Sequence, residues 1–344
     1  MFIIGVPKEL KNNETRISLI PEDVLKLTKE NIKVYVQSGA GTKASYMDTD
    51  YLNAGAIICN SIEEIYDKAN FIIKVKEPQN SEYKLINSKH TIFTFFHFAS
   101  DRILLDKMIY DKVTCYAYET IEIFEDNRSY YPILSAMSKI AGEKSMLDAI
   151  KLLSNDDIID YDSQILILGV GNAGMAAMNI ALHCNFTNIC LLDKNYDKLI
   201  DIKNNNKLLK IYNMTNDNLN NLVKESKVII GSIYNNGKEA AKLITNEMLN
   251  NMKPGSIIMD IAIDQGGITD KSKPMSVDNP IINYNGIKIS CVPNIPSCMP
   301  EQASQLLSNS IIKYVLAICN NNIENYPELG AGKGLNTYNG YCYI

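Results

Sequence analysis

The sequence predicts an α/β protein built on doubly wound, mostly parallel sheets. Three observations carry this. Short apolar runs alternate with helical stretches through the first third of the chain. One buried run, Ile165–Leu168, leads straight into Gly169-Val170-Gly171-Asn172-Ala173-Gly174 and then into an Ala- and Met-rich helix. The length, 344 residues, corresponds to about two domains at roughly 150 residues each.

In chain order, Ile3–Val6 reads as a strand, Pro21–Lys29 as a helix and Ile32–Gln37 as a strand closed by Ser38-Gly39-Ala40-Gly41. Phe71–Val75, Ile92–Phe96 and Val113–Tyr118 are further strands, separated by helical stretches at Ile62–Asp67 and Asp101–Tyr110. Polar residues gather where these strands end, at Lys74–Pro78, His97 and Glu119. Ser138–Leu153 is expected to be a helix leading into the second α/β unit. That unit continues with strand Ile165–Leu168, helix Met175–His183 and strand Ile189–Leu192 ending in Asp193. Strands Val228–Ile233, Ser256–Ile263 and Ile287–Val292 follow. The tail, Gln302–Asn320, is helical and apolar on one face, so it must bury that face and is expected to return to the first domain.

Composition narrows the class. With 46% apolar and 21% charged residues the chain is an ordinary globular sequence. A net charge of −5 argues against a nucleic-acid surface. No stretch of about 18 apolar residues exists, so no membrane span is expected. The apolar run at Met1–Pro7 is too short for a signal segment. None of the eight cysteines forms a C-x-x-C pair, which leaves no zinc spacing and no expected metal. They read as free thiols in a reducing, cytoplasmic compartment.

The glycine motif has its full context: strand before, helix after, and an acidic residue beyond. Gly169 permits the tight turn, Gly171 lets the backbone approach a pyrophosphate, and Gly174 lets the helix pack on the strand. Asn172 and Ala173 lie in the turn ahead of that helix, whose N-terminus favours negative charge. Asp193 can accept hydrogen bonds from both ribose hydroxyls and repels a 2′-phosphate, which favours NAD over NADP, although Lys194 follows it. The plain alternative is a glycine turn without a ligand.

A substrate site needs groups at strand ends. Arg16 offers a planar fork for a carboxylate, Lys76 a point charge, and His97 ends a strand. A surface Arg, a solvated Lys and a hydrogen-bonded core His are the ordinary readings of the same residues, and spacing does not show that the three converge. Asp264, at the end of a buried run and before Gln265-Gly266-Gly267, completes the set; its ordinary reading is a turn former.

These residues lie within longer motifs: Gly5–Glu9 with Asn12–Arg16, Lys74–Pro78, Ala117–Thr120, Met137-Ser138 with Ile140–Gly142, Asp260–Gly267, and Lys333–Tyr338. Nearly end to end, the chain resembles the family shared by alanine dehydrogenase and the NAD(H)-binding part of proton-translocating transhydrogenase. The resemblance implies two Rossmann-like doubly wound domains. A discontinuous substrate/catalytic domain, 1–134 and 301–344, would carry an inserted NAD-binding domain, 135–300. It implies that Arg16 and Lys76 bind the substrate carboxylate, that His97 and Asp264 are catalytic, and that Met137, Ser138 and Asn294 line the nicotinamide pocket. The implied reaction is NAD-dependent, reversible oxidative deamination of a small L-amino acid, alanine to pyruvate and ammonia. In it a histidine near its ordinary pKa moves protons at neutral pH. Partners would be the amino acid and its 2-oxo acid, in a homo-oligomer, dimer or hexamer. A relative acting on another amino or imino acid and a non-catalytic NAD-binding regulator are the rival readings.

The chain departs from the family pattern in places. Lys139 and Glu143 stand where the family has Glu and Arg; at i and i+4 an ion pair can survive the exchange. After Asn294 the family usually continues Met-Pro-Gly-Ala-Val-Pro-Arg, whereas here the loop reads Ile295-Pro296-Ser297-Cys298-Met299-Pro300-Glu301. Cys298 lies in that altered loop. Acidic residues at 154–157 replace a glycine-rich segment, and Tyr234–Glu239 departs as well.

Overall fold

The computed structural model describes residues 1–125, 128–154, 159–233 and 240–344. Most of the acidic stretch at 154–157 and all of Tyr234–Glu239 lie outside the described residues. The chain divides into two compact units. One joins Met1–Met137 to Met299–Ile344; the other is Ser138–Cys298.

The first unit opens with β1 (Ile3–Val6), α1 (Pro21–Lys29), β2 (Lys33–Gln37), α2 (Asp48–Asn53), β3 (Ile57–Cys59) and α3 (Ile62–Lys68). It continues with β4 (Phe71–Lys76), β5 (Thr91–Phe95), α4 (Arg102–Tyr110), β6 (Thr114–Ala117) and the antiparallel pair β7 (Ile123–Glu125) and β8 (Arg128–Tyr130). Helix α5 (Pro132–Ser154) runs on into the second unit, whose elements are β9 (Ile165–Leu168), α6 (Asn172–His183), β10 (Ile189–Asp193), α7 (Tyr196–Asn205), β11 (Lys210–Asn213) and α8 (Asn216–Glu225). Then come β12 (Val228–Gly231), α9 (Asn246–Asn251), β13 (Ile257–Asp260), β14 (Ile281–Tyr284) and β15 (Ile287–Ser290). Helix α10 (Pro300–Cys319), β16 (Leu335–Tyr338) and β17 (Tyr341–Cys342) belong to the first unit again.

Local chemistry sets these elements. Pro21 opens α1 with its φ already helical, Glu22 and Asp23 sit at the positive end, and Lys26 and Lys29 at the negative end. Ser61, Asp101, Asn195, Thr215 and Thr245 each cap a helix by accepting a main-chain N–H three residues on. Helix α5 begins at Pro132, six residues before the predicted Ser138, so Met137 lies inside it rather than ahead of it.

The sheet of the first unit runs β17-β16-β6-β5-β4-β1-β2-β3 and that of the second runs β11-β10-β9-β12-β13-β15-β14. Within each, six parallel strands follow the doubly wound order 3-2-1-4-5-6. Antiparallel β16 joins β6, and antiparallel β14 joins β15. The order reverses between β1 and β4 in one sheet and between β9 and β12 in the other, and ligands of such sheets bind at the carboxyl ends of the strands beside that reversal. In the second unit Leu166 and Leu168 face one apolar layer while Ile165 and Ile167 face the other. A parallel strand covered on both sides reads as an unbroken apolar run, which is why β9 shows no alternation.

Serines of α10 fasten the segment that follows β1. Ser304 Oγ accepts from the Ile17 N–H (2.9 Å), and Ser308 Oγ accepts from the Ile20 N–H (3.1 Å) while donating to buried Asp23 (2.5 Å). The eight cysteines carry free thiols, and Cys59, Cys115, Cys190 and Cys291 are buried as small apolar residues.

Candidate active site

In the first unit the candidate residues stand at the switch point. Lys76 ends β4, His97 lies two residues beyond β5, and Arg16 follows the loop after β1. Arg16 is 3% exposed, and Glu14 takes one edge of its fork: Nε to Oε1 at 2.8 Å and Nη2 to Oε2 at 2.6 Å. Its Nη1 lies 3.1 Å from Met137 Sδ. The guanidinium is therefore a docked group aimed by Glu14 rather than an open fork. Burial alone would push the Glu14 carboxyl up; the Arg16 charge and hydrogen bonds outweigh it and hold the pKa at about 2.

Lys76 is different. It is half-buried, and its ammonium pairs with no carboxylate among the described residues. Desolvation, then the Arg16 charge, push its pKa below the ordinary lysine value. Lys74 on the same strand is fully buried and ion-paired with Glu82 (3.1 Å) and Glu9 (3.4 Å), whose charges outweigh the effect of burial and raise its pKa. Between Ile73 and Lys76 strand β4 advances three residues while β5 advances two. This bulge re-aims the end of the strand.

His97 has a left-handed backbone, φ 54°, which a residue with a Cβ adopts only where its surroundings enforce it. Its ring stacks on Phe95, centroids 5.8 Å apart and planes 7° apart. The ring keeps open surface, yet desolvation first and the Lys76 charge second push its pKa down to about 4. Solvent screens part of the charge contribution. This corrects the expectation of a histidine near its ordinary pKa: a cation cluster cannot be read from a strand-end position alone. Glu119 accepts the His97 N–H at 2.5 Å and the Phe96 N–H at 3.3 Å. Burial raises its carboxyl to about 7 against those bonds.

In the second unit Gly169 turns with φ 90°. A Cβ on Gly174 would stand 1.9 Å from the Gly169 carbonyl oxygen, so only glycine lets α6 seat on the turn. Gly142 of α5 meets the Ala173 carbonyl oxygen in the same way, at 1.9 Å. At Gly171, by contrast, a Cβ would find nothing within 4 Å. That open space faces the first turn of α6, Asn172 and Ala173, and a phosphate fits there. Half-buried Asp193 is fixed by two main-chain donors, Val170 N–H on Oδ2 and Asn195 N–H on Oδ1, both 2.8 Å. Each oxygen keeps a further lone pair for a ribose hydroxyl. The donor and acceptor set fits a dinucleotide.

Asp264 does not end a strand. Strand β13 stops at Asp260, and Asp264 sits exposed on the 3₁₀ turn Ile261–Gln265. The buried carboxylate of this segment is Asp260, 2% exposed, which accepts from Ile268 N–H (2.8 Å) and Ser272 Oγ (2.5 Å) and holds the Gly266–Gly267 turn. Asp264 Oδ2 accepts instead from the Asn294 N–H (3.3 Å), and Asn294 also has a left-handed backbone, φ 53°. Ser297 donates through both N–H and Oγ to the Asn294 carbonyl, 2.9 Å each, so the altered loop is a 3₁₀ turn, Ile295–Cys298. The exchanged pair Lys139–Glu143 lies at 3.9 Å.

The fold thus brings Arg16, Lys76, His97 and Met137 into one unit and Gly169–Gly174, Asp193, Asp264 and Asn294 into the other, with Ser138 beginning the second. Sequence reasoning misses Glu9 and Glu14 as partners and reads Glu77 and Glu119 only as polar residues at strand ends. Only Glu14 lies beside the basic residue it serves; Glu9 reaches Lys76 across 67 positions, Glu77 reaches Lys11 across 66 and Glu119 reaches His97 across 22, which no local pattern signals. Lys11 and Glu77 pair at 2.5 Å.

No helix among the described residues is long and apolar enough to cross a membrane. Residues 5–141 match the family model for the alanine dehydrogenase/PNT N-terminal domain, and 159–343 match that for the C-terminal domain. The alanine dehydrogenase of Methanococcus maripaludis is 34% identical over 98% of this chain and 94% of its own length. That of Mycolicibacterium smegmatis is 30% identical over 98% and 94%. A solved L-alanine dehydrogenase superposes with a TM-score of 0.91 at 30% identity, covering 98% of this chain and 96% of its own. A transhydrogenase from Sinorhizobium meliloti shares the fold, with a TM-score of 0.86 at 21% identity over 99% and 98%. On both halves of its length, the chain belongs to the alanine dehydrogenase/PNT family.

Proposed function

We propose that this protein is an NAD-dependent amino-acid dehydrogenase that interconverts L-alanine with pyruvate and ammonia. Lys76 carries the reading: a desolvated ammonium with no carboxylate partner among the described residues, beside docked Arg16, is short of one anion. A substrate carboxylate supplies it. Membership in the family, with relatives named alanine dehydrogenase at 30–34% identity, supports the choice of alanine.

In this reading Lys76 and Arg16 hold the carboxylate and so fix the orientation of Cα–H. Such orientation is an entropic contribution, with effective molarities that can reach about 10⁵ M. Bound NAD⁺ supplies the hydride acceptor. Gly171, the first turn of α6 and Asp193 hold its pyrophosphate and ribose. His97, neutral at neutral pH, takes a proton from the substrate ammonium, and Cα gives up its hydride to leave an iminium. Water adds to the iminium carbon, ammonia leaves, and His97 and Asp264 share the proton transfers. A homo-oligomer, dimer or hexamer, working in the cytoplasm belongs to the same proposal; sedimentation reads the first.

The test is NADH formation at 340 nm across a panel of L-amino acids, with NADP⁺ as the cofactor control. Alanine is expected to give the highest kcat/KM. Turnover with another amino acid and none with alanine assigns the altered Ile295–Glu301 loop a different side chain. NAD⁺ binding with no turnover on any amino acid contradicts the proposal.

A further inference from the structure

Three glutamates of the first unit share one arrangement. Glu14 Oε1 accepts from the N–H groups of Thr15 (3.1 Å) and Arg16 (3.0 Å). Glu9 accepts from Val75 (2.6 Å, Oε1) and Lys76 (3.4 Å, Oε2). Glu119 accepts from Phe96 (3.3 Å, Oε2) and His97 (2.5 Å, Oε1). In each case the second donor is the main chain of a candidate substrate or catalytic residue. Successive N–H groups of a strand point to opposite edges, so a pair that converges on one carboxylate requires the chain to leave strand geometry there. It does: β4 shifts register before Lys76, and His97 is left-handed.

We propose that Glu9, Glu14 and Glu119 are positioning residues, each closing a two-N–H nest with its carboxylate and so fixing the backbone from which Lys76, Arg16 and His97 reach the substrate. The proposal rests on the reading of those three as the amino-acid site. Glu14 also pairs with the Arg16 side chain, and Glu9 with Lys74, so both have a second structural role. Glu119 isolates the device, because beyond the two nest bonds and a contact with its own main chain no other side chain is described as its hydrogen-bond partner. With the carboxylate in place the left-handed turn at His97 satisfies both donors. Without it, one N–H at least has no acceptor and the ring loses its fixed origin.

A double-mutant cycle tests this. Glu119→Gln keeps one acceptor and sets an NH₂ against the other donor; Glu119→Asp keeps both oxygens on a shorter stem. Glu119→Gln is expected to lower kcat about 10²-fold, the cost of misplacing a catalytic group by roughly 1 Å, with the KM for NAD⁺ held within about 2-fold. Glu119→Asp should recover part of the loss. In a His97→Ala background Glu119→Gln should cost almost nothing further, since its effect passes through His97. Wild-type kcat in Glu119→Gln, or an equal loss in both backgrounds, overturns the proposal. If Glu119→Gln does not fold, the cycle is run with Glu119→Asp under the same criteria. A wild-type enzyme without amino-acid-dependent NADH formation overturns the functional reading instead. The nest is then judged by hydrogen exchange at the Phe96 and His97 amides: faster in Glu119→Asp supports it, unchanged overturns it.

Discussion

The two switch points of this chain solve the same problem with opposite materials. After β9 the second unit builds its site from absence: Gly171 leaves open space, Gly174 lets a helix approach to contact, and Asp193 is held by two main-chain donors. After β1, β4 and β5 the first unit builds from charge, with Arg16 docked on Glu14, Lys76 in no salt bridge among the described residues, and His97 bent into a left-handed turn over Glu119. A pyrophosphate is met by the backbone, whose donors are always present. A small amino acid has few atoms to hold, and each needs a side chain of the right charge. On the proposed reading, the dinucleotide half should tolerate side-chain change away from the glycines and Asp193, whereas the amino-acid half should depend on a balance of charges that no single residue carries.

The largest effect should come from breaking the chemistry on the charged side. His97→Ala is expected to lower kcat by about 10²–10⁴-fold while NAD⁺ binding, measured by calorimetry, stays within about 2-fold. Wild-type-like turnover would remove His97 from the mechanism. Breaking the charge balance itself comes next. Arg16→Ala takes the guanidinium away from the buried Glu14 carboxylate; breaking a buried pair costs about 3–5 kcal/mol and lowers Tm by roughly 5–15 °C. An unchanged Tm would show that Glu14 finds another partner. The smallest effect is a shift of pH profile. Deamination requires neutral His97, so rate rises with pH through its pKa. The acid limb of kcat/KM, a property of the free enzyme, should lie at about 4. A bound carboxylate offsets the Lys76 and Arg16 charges that oppose protonation of His97, so the limb of kcat should lie at higher pH. A kcat limb at the same or lower pH contradicts a substrate carboxylate beside Lys76.

The same contrast decides what can be read in advance. The parallel strands other than β3 and β11, the α1 boundaries and the whole glycine motif are legible because they rest on local patterns: an apolar run, a proline at a helix start, glycines at fixed spacing. The end of β13 is not, because Ile261 to Ile263 continue the apolar pattern although the backbone has already turned into a 3₁₀ segment around buried Asp260. Helix α5 starts early because Pro132 begins it, a signal outweighed by the more regular pattern after Ser138. At the charged site, residue identities are legible and their state is not. That Arg16 is already paired, that Lys76 has no salt bridge among the described residues, and that His97 is pushed far below its usual pKa all depend on the fold, with partners of Arg16 from 2 to 121 positions away. Strand β16, which supplies the antiparallel neighbour of β6, carries no distinctive pattern of its own and depends on that pairing.

The division of labour between the two halves is tested most directly by one measurement, calorimetric titration of NAD⁺ into Gly171→Ala and Lys76→Met side by side. A methyl group at residue 171 meets nothing in the fold, so Gly171→Ala should keep the wild-type Tm and bind NAD⁺ about 10-fold or more weakly, because the methyl takes the space of the pyrophosphate. Lys76→Met should bind NAD⁺ as the wild type does. Equal NAD⁺ affinity in Gly171→Ala and wild type, or weakened affinity in Lys76→Met alone, would contradict the account.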